Sequence, residues 1–172
     1  MNNNKLEALS QALKREEEGR AYYQKALMNT TNELGKRMFE FLVRAEESHI
    51  QKIKQIYDSL ENSVKWANII SNPIEKSGKA VCAEIISSFK EDIKGEVDDI
   101  QALKIALKME DESIKFYQCQ AEATEDLAEK KFYLLLVNEE TDHWLSILES
   151  IEYLEDPQGY FHQKEMIRSM FM

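Results

Sequence analysis

Residues 38–53 read MFEFLVRAEESHIQKI, and this stretch carries the pattern that decides the fold. Its apolar residues return every three or four positions, which is the spacing of one face of an α-helix. Glu46 and His49 lie on the same face, between Leu42 and Ile53. That face should be buried, so a carboxylate and an imidazole on it need a partner that replaces water.

The same stretch occurs twice in the chain. With a shift of 94 positions and no gap, residues 38–53 align with residues 132–147, which read FYLLLVNEETDHWLSI. The same shift aligns residues 6–24, LEALSQALKREEEGRAYYQ, with residues 100–118, IQALKIALKMEDESIKFYQ, and nine of the nineteen positions are identical. The sequence therefore predicts two copies of one helical hairpin.

Each copy carries three polar residues at the same spacing. A glutamate is followed thirty positions later by a second glutamate, and three positions further on by a histidine. The six residues are Glu16, Glu46 and His49 in the first copy, and Glu110, Glu140 and His143 in the second. A single EESH motif would be ordinary solvated surface. Two copies in register, each on an apolar face, indicate a shared metal site.

The rise of the helix places these residues at one level of a bundle. Glu16 precedes the first turn by about fifteen residues and Glu46 follows it by about fifteen, so both lie about 22 Å from the turn. Glu110 and Glu140 flank the second turn in the same way. If the hairpins pack face to face, four carboxylates and two imidazoles meet in the core. Two divalent cations would balance the four carboxylate charges.

The pattern of helices predicts one all-α domain. We expect a hairpin over 4–60, a crossover over 61–96, a second hairpin over 97–154 and a tail over 155–172. A four-helix bundle with one long crossover matches this order of helices better than a simple up-down-up-down chain. The expected long helices cover 4–28, 33–60, 97–123 and 127–154, and the sequence KAVCAEIISSFKED in the crossover predicts a shorter helix. We expect the tail to pack on its own bundle or on a partner subunit.

Local signals mark the ends of these helices. Thr31 or Asn32 can cap the second helix, and Thr124 is a candidate cap for the fourth. Pro157 and Gly159 should end the fourth helix, because neither continues a helix cheaply.

Composition limits the classes of function. The chain has 172 residues, 43% of them hydrophobic, and a formal net charge of −10. An acidic protein is repelled by nucleic-acid phosphates and anionic membranes, so neither is an expected partner. The two cysteines form no CxxC pair, which favours a reducing cytoplasm, and Cys119 is expected to be a buried thiol. No apolar run has the length of a secretory signal or a membrane span.

The six polar residues resemble the signature of the ferritin-like di-metal carboxylate proteins, which is a Glu from each of two helices and a Glu-x-x-His from each of the other two. The chain is most similar to the rubrerythrin branch, through ALKMEDESIKFY and IEYLEDPQGYF. The resemblance implies a ferritin-like four-helix bundle that binds two iron ions, for which manganese or zinc can substitute. Tyr23 and Tyr117 lie two turns beyond Glu16 and Glu110, where each hydroxyl can reach a ligand carboxylate.

The resemblance also implies an activity, namely reduction of peroxide or O2 by an oxidoreductase in oxidative-stress defence. The metal centre itself would be catalytic. Rubrerythrins commonly add a Glu ligand at the position of Ser113, whose repeat counterpart is Gly19, and this departure leaves the associated ligand exchange in doubt. The paired CxxC motifs of a rubredoxin-like domain are also missing, so we expect an external, rubredoxin-like electron donor. A cytoplasmic homo-oligomer, with a dimer as the expected form, completes this interpretation.

Two alternatives remain open from the sequence. A ferritin-like role in iron oxidation and storage would require a large hollow assembly. A non-enzymatic bundle that holds metal would show metal-linked stability without turnover. The repeat does not decide whether Glu46 and Glu140, or Glu16 and Glu110, bridge the two ions, nor whether the hairpins exchange between subunits.

Overall fold

The structure is a computed structural model that describes residues 2–61 and 97–170, together with residues 80, 83, 84, 86 and 87. The helices in the two long ranges are α1 (Asn2–Asn29), α2 (Glu33–Glu61), α3 (Val97–Ala123), α4 (Leu127–Glu155) and α5 (Pro157–Met170). The first four begin and end within two residues of the predicted positions. None of the helices in this part of the chain combines the length and the apolar character that a membrane crossing needs.

The four long helices form two hairpins that pack on each other. α1 packs along α2, α3 packs along α4, and the hairpins meet through α1 with α3 and through α2 with α4. Three-residue connections at 30–32 and 124–126 make the helices of each hairpin antiparallel. The predicted all-α, ferritin-like bundle with a crossover region is confirmed. The short helix predicted in the crossover lies mostly outside the described residues, although those of its residues that are described are helical.

Side-chain caps start the second helix of each hairpin. Asn32 Oδ1 accepts hydrogen bonds from two backbone N–H groups in the first turn of α2, at 2.9 and 3.1 Å. Asp126 Oδ1 does the same for α4, at 3.0 and 3.2 Å. The prediction of Thr124 as the cap of α4 was wrong, because its hydroxyl donates to Glu129 at 2.8 Å instead.

Each turn is tied to the other hairpin by a residue near the start of that hairpin. Asp99 of α3 is buried and accepts hydrogen bonds from the Thr31 N–H at 3.2 Å, the Thr31 hydroxyl at 3.1 Å and the Asn32 N–H at 2.8 Å. Lys5 of α1 contacts Asp126 in the second turn at 2.8 Å. Lys5 and Asp99 occupy equivalent positions of the repeat, so both halves hold the opposite turn from the same position, one through hydrogen bonds to an acidic residue and the other through an ion pair from a basic one.

Two apolar clusters fill the bundle, one toward each turn. The first includes Tyr23, Phe39, Leu42, Leu103, Ala106, Ile147 and Ile151. The second includes Leu9, Ala12, Ile53, Ile56, Tyr117, Phe132, Tyr133 and Leu136. Along each long helix, the polar residues singled out by the repeat fall between members of the two clusters. The polar layer is therefore closed above and below by apolar side chains.

The tail forms a helix that packs on its own chain. α4 ends at Glu155 as predicted, and Pro157 then begins α5, because its fixed φ suits the first position of a helix. Tyr160 of α5 is buried, lies edge-on to Tyr153 with ring centroids 5.5 Å apart, and donates a hydrogen bond to Glu149 at 2.5 Å.

Removing the tie at Asp99 should destabilise the bundle. In Asp99→Ala, the buried Asn32 N–H and the two donors of Thr31 lose their acceptor, so we expect a loss of about 2 kcal/mol in the free energy of unfolding, measured by urea denaturation. Asp98→Ala is the matched control, because Asp98 is an exposed carboxylate in the same first turn of α3. Equal destabilisation by the two variants would contradict the role assigned to Asp99.

Candidate metal centre

The bundle brings the six polar residues of the repeat together in one buried layer. Each of the six has at most 5% of its surface exposed. Two groups form, Glu16 with Glu46 and His49, and Glu110 with Glu140 and His143, and in each group the potential ligand atoms lie within 4.8 Å of one another. We name them the first and the second half-site. Each half-site comes from one hairpin, as the repeat predicts.

The two half-sites meet at Glu140. In the first, His49 Nδ1 lies 2.8 Å from Glu16 Oε2 and 3.1 Å from Glu140 Oε1. In the second, His143 Nδ1 lies 3.0 Å from Glu140 Oε2 and 3.8 Å from Glu110 Oε2. The imidazole rings stack, with centroids 5.5 Å apart and an interplanar angle of 24°. The carboxylate of Glu140 therefore faces both histidines, one with each oxygen.

Two tyrosines bind ligand carboxylates across the hairpins. The Tyr23 hydroxyl of α1 donates to Glu110 Oε1 of α3 at 2.6 Å. The Tyr117 hydroxyl of α3 donates in the same way to Glu16 Oε1 of α1. Both tyrosines are buried, and each supports the half-site of the opposite hairpin. These hydrogen bonds hold the two carboxylates in place and couple the packing of α1 and α3 to the geometry of the site.

Crowding shifts the pKa values of the acidic groups. Burial raises the pKa of Glu46 well above its ordinary value, and the neighbouring carboxylates of Glu16 and Glu140 raise it further. Burial, together with the charge of Glu140, raises the pKa of Glu110 to about 8. Four carboxylates placed this close together cannot all carry a negative charge unless cations lie among them.

The same carboxylates raise the pKa values of the two histidines. Burial alone would lower the pKa of His49, but the carboxylates of Glu140 and Glu16 outweigh it and raise this pKa well above its ordinary value. For His143, burial is likewise outweighed by the nearby carboxylates of Glu110 and Glu140, and the pKa rises to about 10. The pKa of Glu140 is held well below its usual range, because the two imidazoles overcome the effect of burial. The site attracts positive charge strongly.

The donor set suits two metal ions. Glu46 Oε2 is buried without a hydrogen-bond partner among the described residues, and Glu140 Oε1 is buried 3.1 Å from the imidazole of His49, so both oxygens face the site as potential metal ligands. Four carboxylates balance the formal charge of two divalent cations, and each half-site adds one imidazole. Carboxylates combined with imidazoles are typical of iron and manganese sites, and zinc also accepts such ligands.

Gly19 makes room for one of these ligands. A Cβ atom at this position would lie 3.1 Å from Glu46 Oε1 and 3.3 Å from its carboxyl carbon, which is tighter than an ordinary contact. The equivalent position of the second copy is Ser113, which is partly buried. Both positions therefore keep small side chains beside the carboxylate layer.

The sequence did not predict the contact between Glu139 and His49. Glu139 Oε2 lies 2.8 Å from His49 Nε2, on the side of the ring that faces away from Glu16. Glu139 lies off the apolar face of its own helix, and only the packing of α4 against α2 brings it to the histidine. The prediction of Cys119 as a buried thiol was wrong, because its side chain is exposed on α3.

The fold and the donor set together define a helical bundle with a di-metal carboxylate site. The sequence model of the Rubrerythrin family matches residues 7–152, which include most of both hairpins. The chain belongs to the rubrerythrin family. Searches of curated proteins and of solved structures found no match.

Gly19→Ala should weaken metal binding without lowering the stability of the bundle. Alanine favours a helix over glycine by up to about 1 kcal/mol, but its Cβ would push the Glu46 carboxylate aside. We expect an equal or higher melting temperature in the presence of chelator, and about tenfold weaker binding of Co²⁺ by calorimetry. Ser113→Ala is the control, because it adds no atom to the layer. Unchanged Co²⁺ binding in Gly19→Ala would mean that Glu46 does not need this space.

Proposed function

We propose that this protein is a di-iron oxidoreductase that reduces hydrogen peroxide or O2 with electrons from an external donor protein. The observation that carries the proposal is the pair of buried half-sites joined at Glu140. Membership of the rubrerythrin family supports it.

The residues that would hold the metal ions are the six of the two half-sites. When bound there, two ferrous ions supply one electron each, which is the two-electron requirement of peroxide reduction. Glu140 would hold metal in both half-sites, because its two oxygens face the two histidines. Glu46, its repeat counterpart with a free oxygen, is the second candidate for a shared ligand. The alternative pair, Glu16 and Glu110, is less suited because each has one oxygen bound to a tyrosine hydroxyl.

The protein environment contributes orientation and exclusion of water. Tyr23 and Tyr117 keep Glu110 and Glu16 in one rotamer, so little reorganisation is needed when cations enter or change charge. The apolar clusters on both sides keep bulk water from the layer, which strengthens the electrostatic interactions within it. Ser113 offers no carboxylate, so we propose that the centre works with the six ligands alone, without exchange of a seventh.

Electrons have to reach the site from elsewhere. Neither cysteine of the 172-residue sequence belongs to a CxxC pair, so we propose an external, rubredoxin-like donor. We also propose that residues 1–172 form one domain that includes the tail, and that the protein is a cytoplasmic homo-oligomer, with a dimer as the expected form. Oxidative-stress defence is the role that these features support best.

Metal content tests the site itself. Protein expressed in iron-supplemented medium should contain about two metal ions per chain, one for each half-site, by elemental analysis. Glu46→Ala and His143→Ala should reduce this content to one or fewer, whereas the control variants Glu47→Ala and His162→Ala should retain it. Hundreds of iron atoms per assembly would indicate storage instead, and metal content near zero in the unmodified protein would refute the site.

Chelation provides a second, independent readout. Metal bound to the native state stabilises it by mass action, so removal with a chelator should lower the melting temperature clearly. In Glu46→Ala the same treatment should have little effect, since one buried carboxylate is gone and metal is held weakly. A melting temperature of the unmodified protein that is independent of chelator would contradict metal binding in the core.

Turnover distinguishes an enzyme from a bundle that merely holds metal. Iron-loaded protein, reduced by a rubredoxin under anaerobic conditions, should consume added hydrogen peroxide and reoxidise the rubredoxin, followed by its visible absorbance. His143→Ala should lower the rate by tenfold or more, and His162→Ala should not change it. Full metal content without oxidation of the reduced centre by peroxide or O2 would favour the non-enzymatic alternative.

A further inference from the structure

The repeat is broken at two positions that surround the histidines. All six half-site residues and both tyrosines recur after 94 positions. Glu139, which contacts His49, has Ala45 as its counterpart, and Phe41 has Leu135. Ala45 and Phe41 are both buried, whereas Leu135 has 39% of its surface exposed. The two histidines are therefore held by different side chains, although the two half-sites are built from the same residue types.

His49 is held from both sides of its ring. Nδ1 faces the carboxylates of Glu16 and Glu140, and Nε2 lies 2.8 Å from Glu139 Oε2. Lys52 Nζ lies 3.6 Å from the same oxygen of Glu139 and so helps to place it. When Nε2–H donates to Glu139, His49 is in the tautomer whose Nδ1 carries a lone pair directed toward the half-site. A metal ligand requires this tautomer.

His143 is held in another way. Its Nδ1 faces Glu140, and its ring lies edge-on to Phe41 with centroids 5.5 Å apart. At the position equivalent to Glu139, the methyl group of Ala45 has no oxygen and cannot accept a hydrogen bond. Phe41 limits the tilt of the ring by contact, but an aromatic edge does not select between the two tautomers of the imidazole. Among the residues that the structure describes, the second half-site therefore lacks the support that Glu139 gives to the first.

We propose that the two half-sites bind metal with unequal affinity, and that the first half-site fills first because Glu139 positions His49. This inference rests on the proposed function only in requiring that both half-sites bind divalent metal. A carboxylate behind a ligand histidine fixes its orientation and strengthens it as a donor, and loss of such a group typically lowers metal affinity by about 10- to 100-fold. Glu139 is thus a positioning residue that acts through His49.

Calorimetric titration of the chelator-treated protein with Co²⁺ tests this inference. We expect two binding steps whose dissociation constants differ by about tenfold or more. His143→Ala should remove the weaker step and keep the tighter one, and His49→Ala should do the reverse. The visible absorption of bound Co²⁺ should change in shape between the first and the second equivalent, because the supports of the two imidazoles differ.

Variants at the broken positions of the repeat give the sharpest comparison. Glu139→Ala should weaken the tighter step by about tenfold and leave the weaker step unchanged, so that the two steps merge. Glu139→Gln, whose amide oxygen still accepts the hydrogen bond, should restore most of the difference. Glu47→Ala is the charge-matched control, because it removes a carboxylate on α2 that contacts Arg20 instead of a histidine.

The outcomes separate this inference from the proposed function. Two equal Co²⁺ steps in the unmodified protein would overturn the inequality while leaving the di-metal site intact. Absence of Co²⁺ binding would overturn both. If Glu139→Ala weakened both binding steps equally, or clearly lowered the melting temperature in the presence of chelator, Glu139 would serve general packing. The positioning role would then be wrong.

Discussion

The constraint on which the rest of the structure depends is the burial of four carboxylates in one layer of the bundle. Each carries a desolvation cost of several kcal/mol if it is charged and unpaired, and they also repel one another. The layer therefore needs cations, and its two imidazoles and its carboxylate oxygens, of which Glu46 Oε2 has no hydrogen-bond partner among the described residues, are suited to bind them. The apolar clusters above and below the layer offset this desolvation cost, because they supply the hydrophobic burial that the polar layer lacks.

The internal repeat determines the level of the bundle at which the carboxylates meet. Two hairpins with equal distances from turn to glutamate bring all four carboxylates to the same level whenever the hairpins pack face to face. The ties from Asp99 and Lys5 to the opposite turns hold that relative position. The tyrosines connect the same two hairpins at the layer itself, so the packing of α1 on α3 and the orientation of Glu16 and Glu110 are linked.

The sequence could predict whatever depends on helical periodicity and length. The four helices, their pairing and the meeting of six polar residues all follow from spacing within a helix and from its constant rise. Contacts that depend on the rotation of one helix against another could not be predicted in this way. Glu139 lies off its own apolar face and reaches His49 only across the α2–α4 interface. The cap at Asp126, in place of Thr124, depended on the backbone of a three-residue turn in which several residues can cap.

A repeated hairpin supplies two similar halves, so a difference in metal affinity between them has to come from departures from the repeat. The ligands cannot vary without losing the site, but their neighbours can. Where the chain departs from the repeat around the layer, at Gly19 and Ser113 and at Ala45 and Glu139, the ligands themselves are unchanged. The differences act on the space beside a carboxylate and on the support behind an imidazole. Symmetry of the hairpins thus supplies the geometry of the centre, and single substitutions next to the ligands make its two sides distinct.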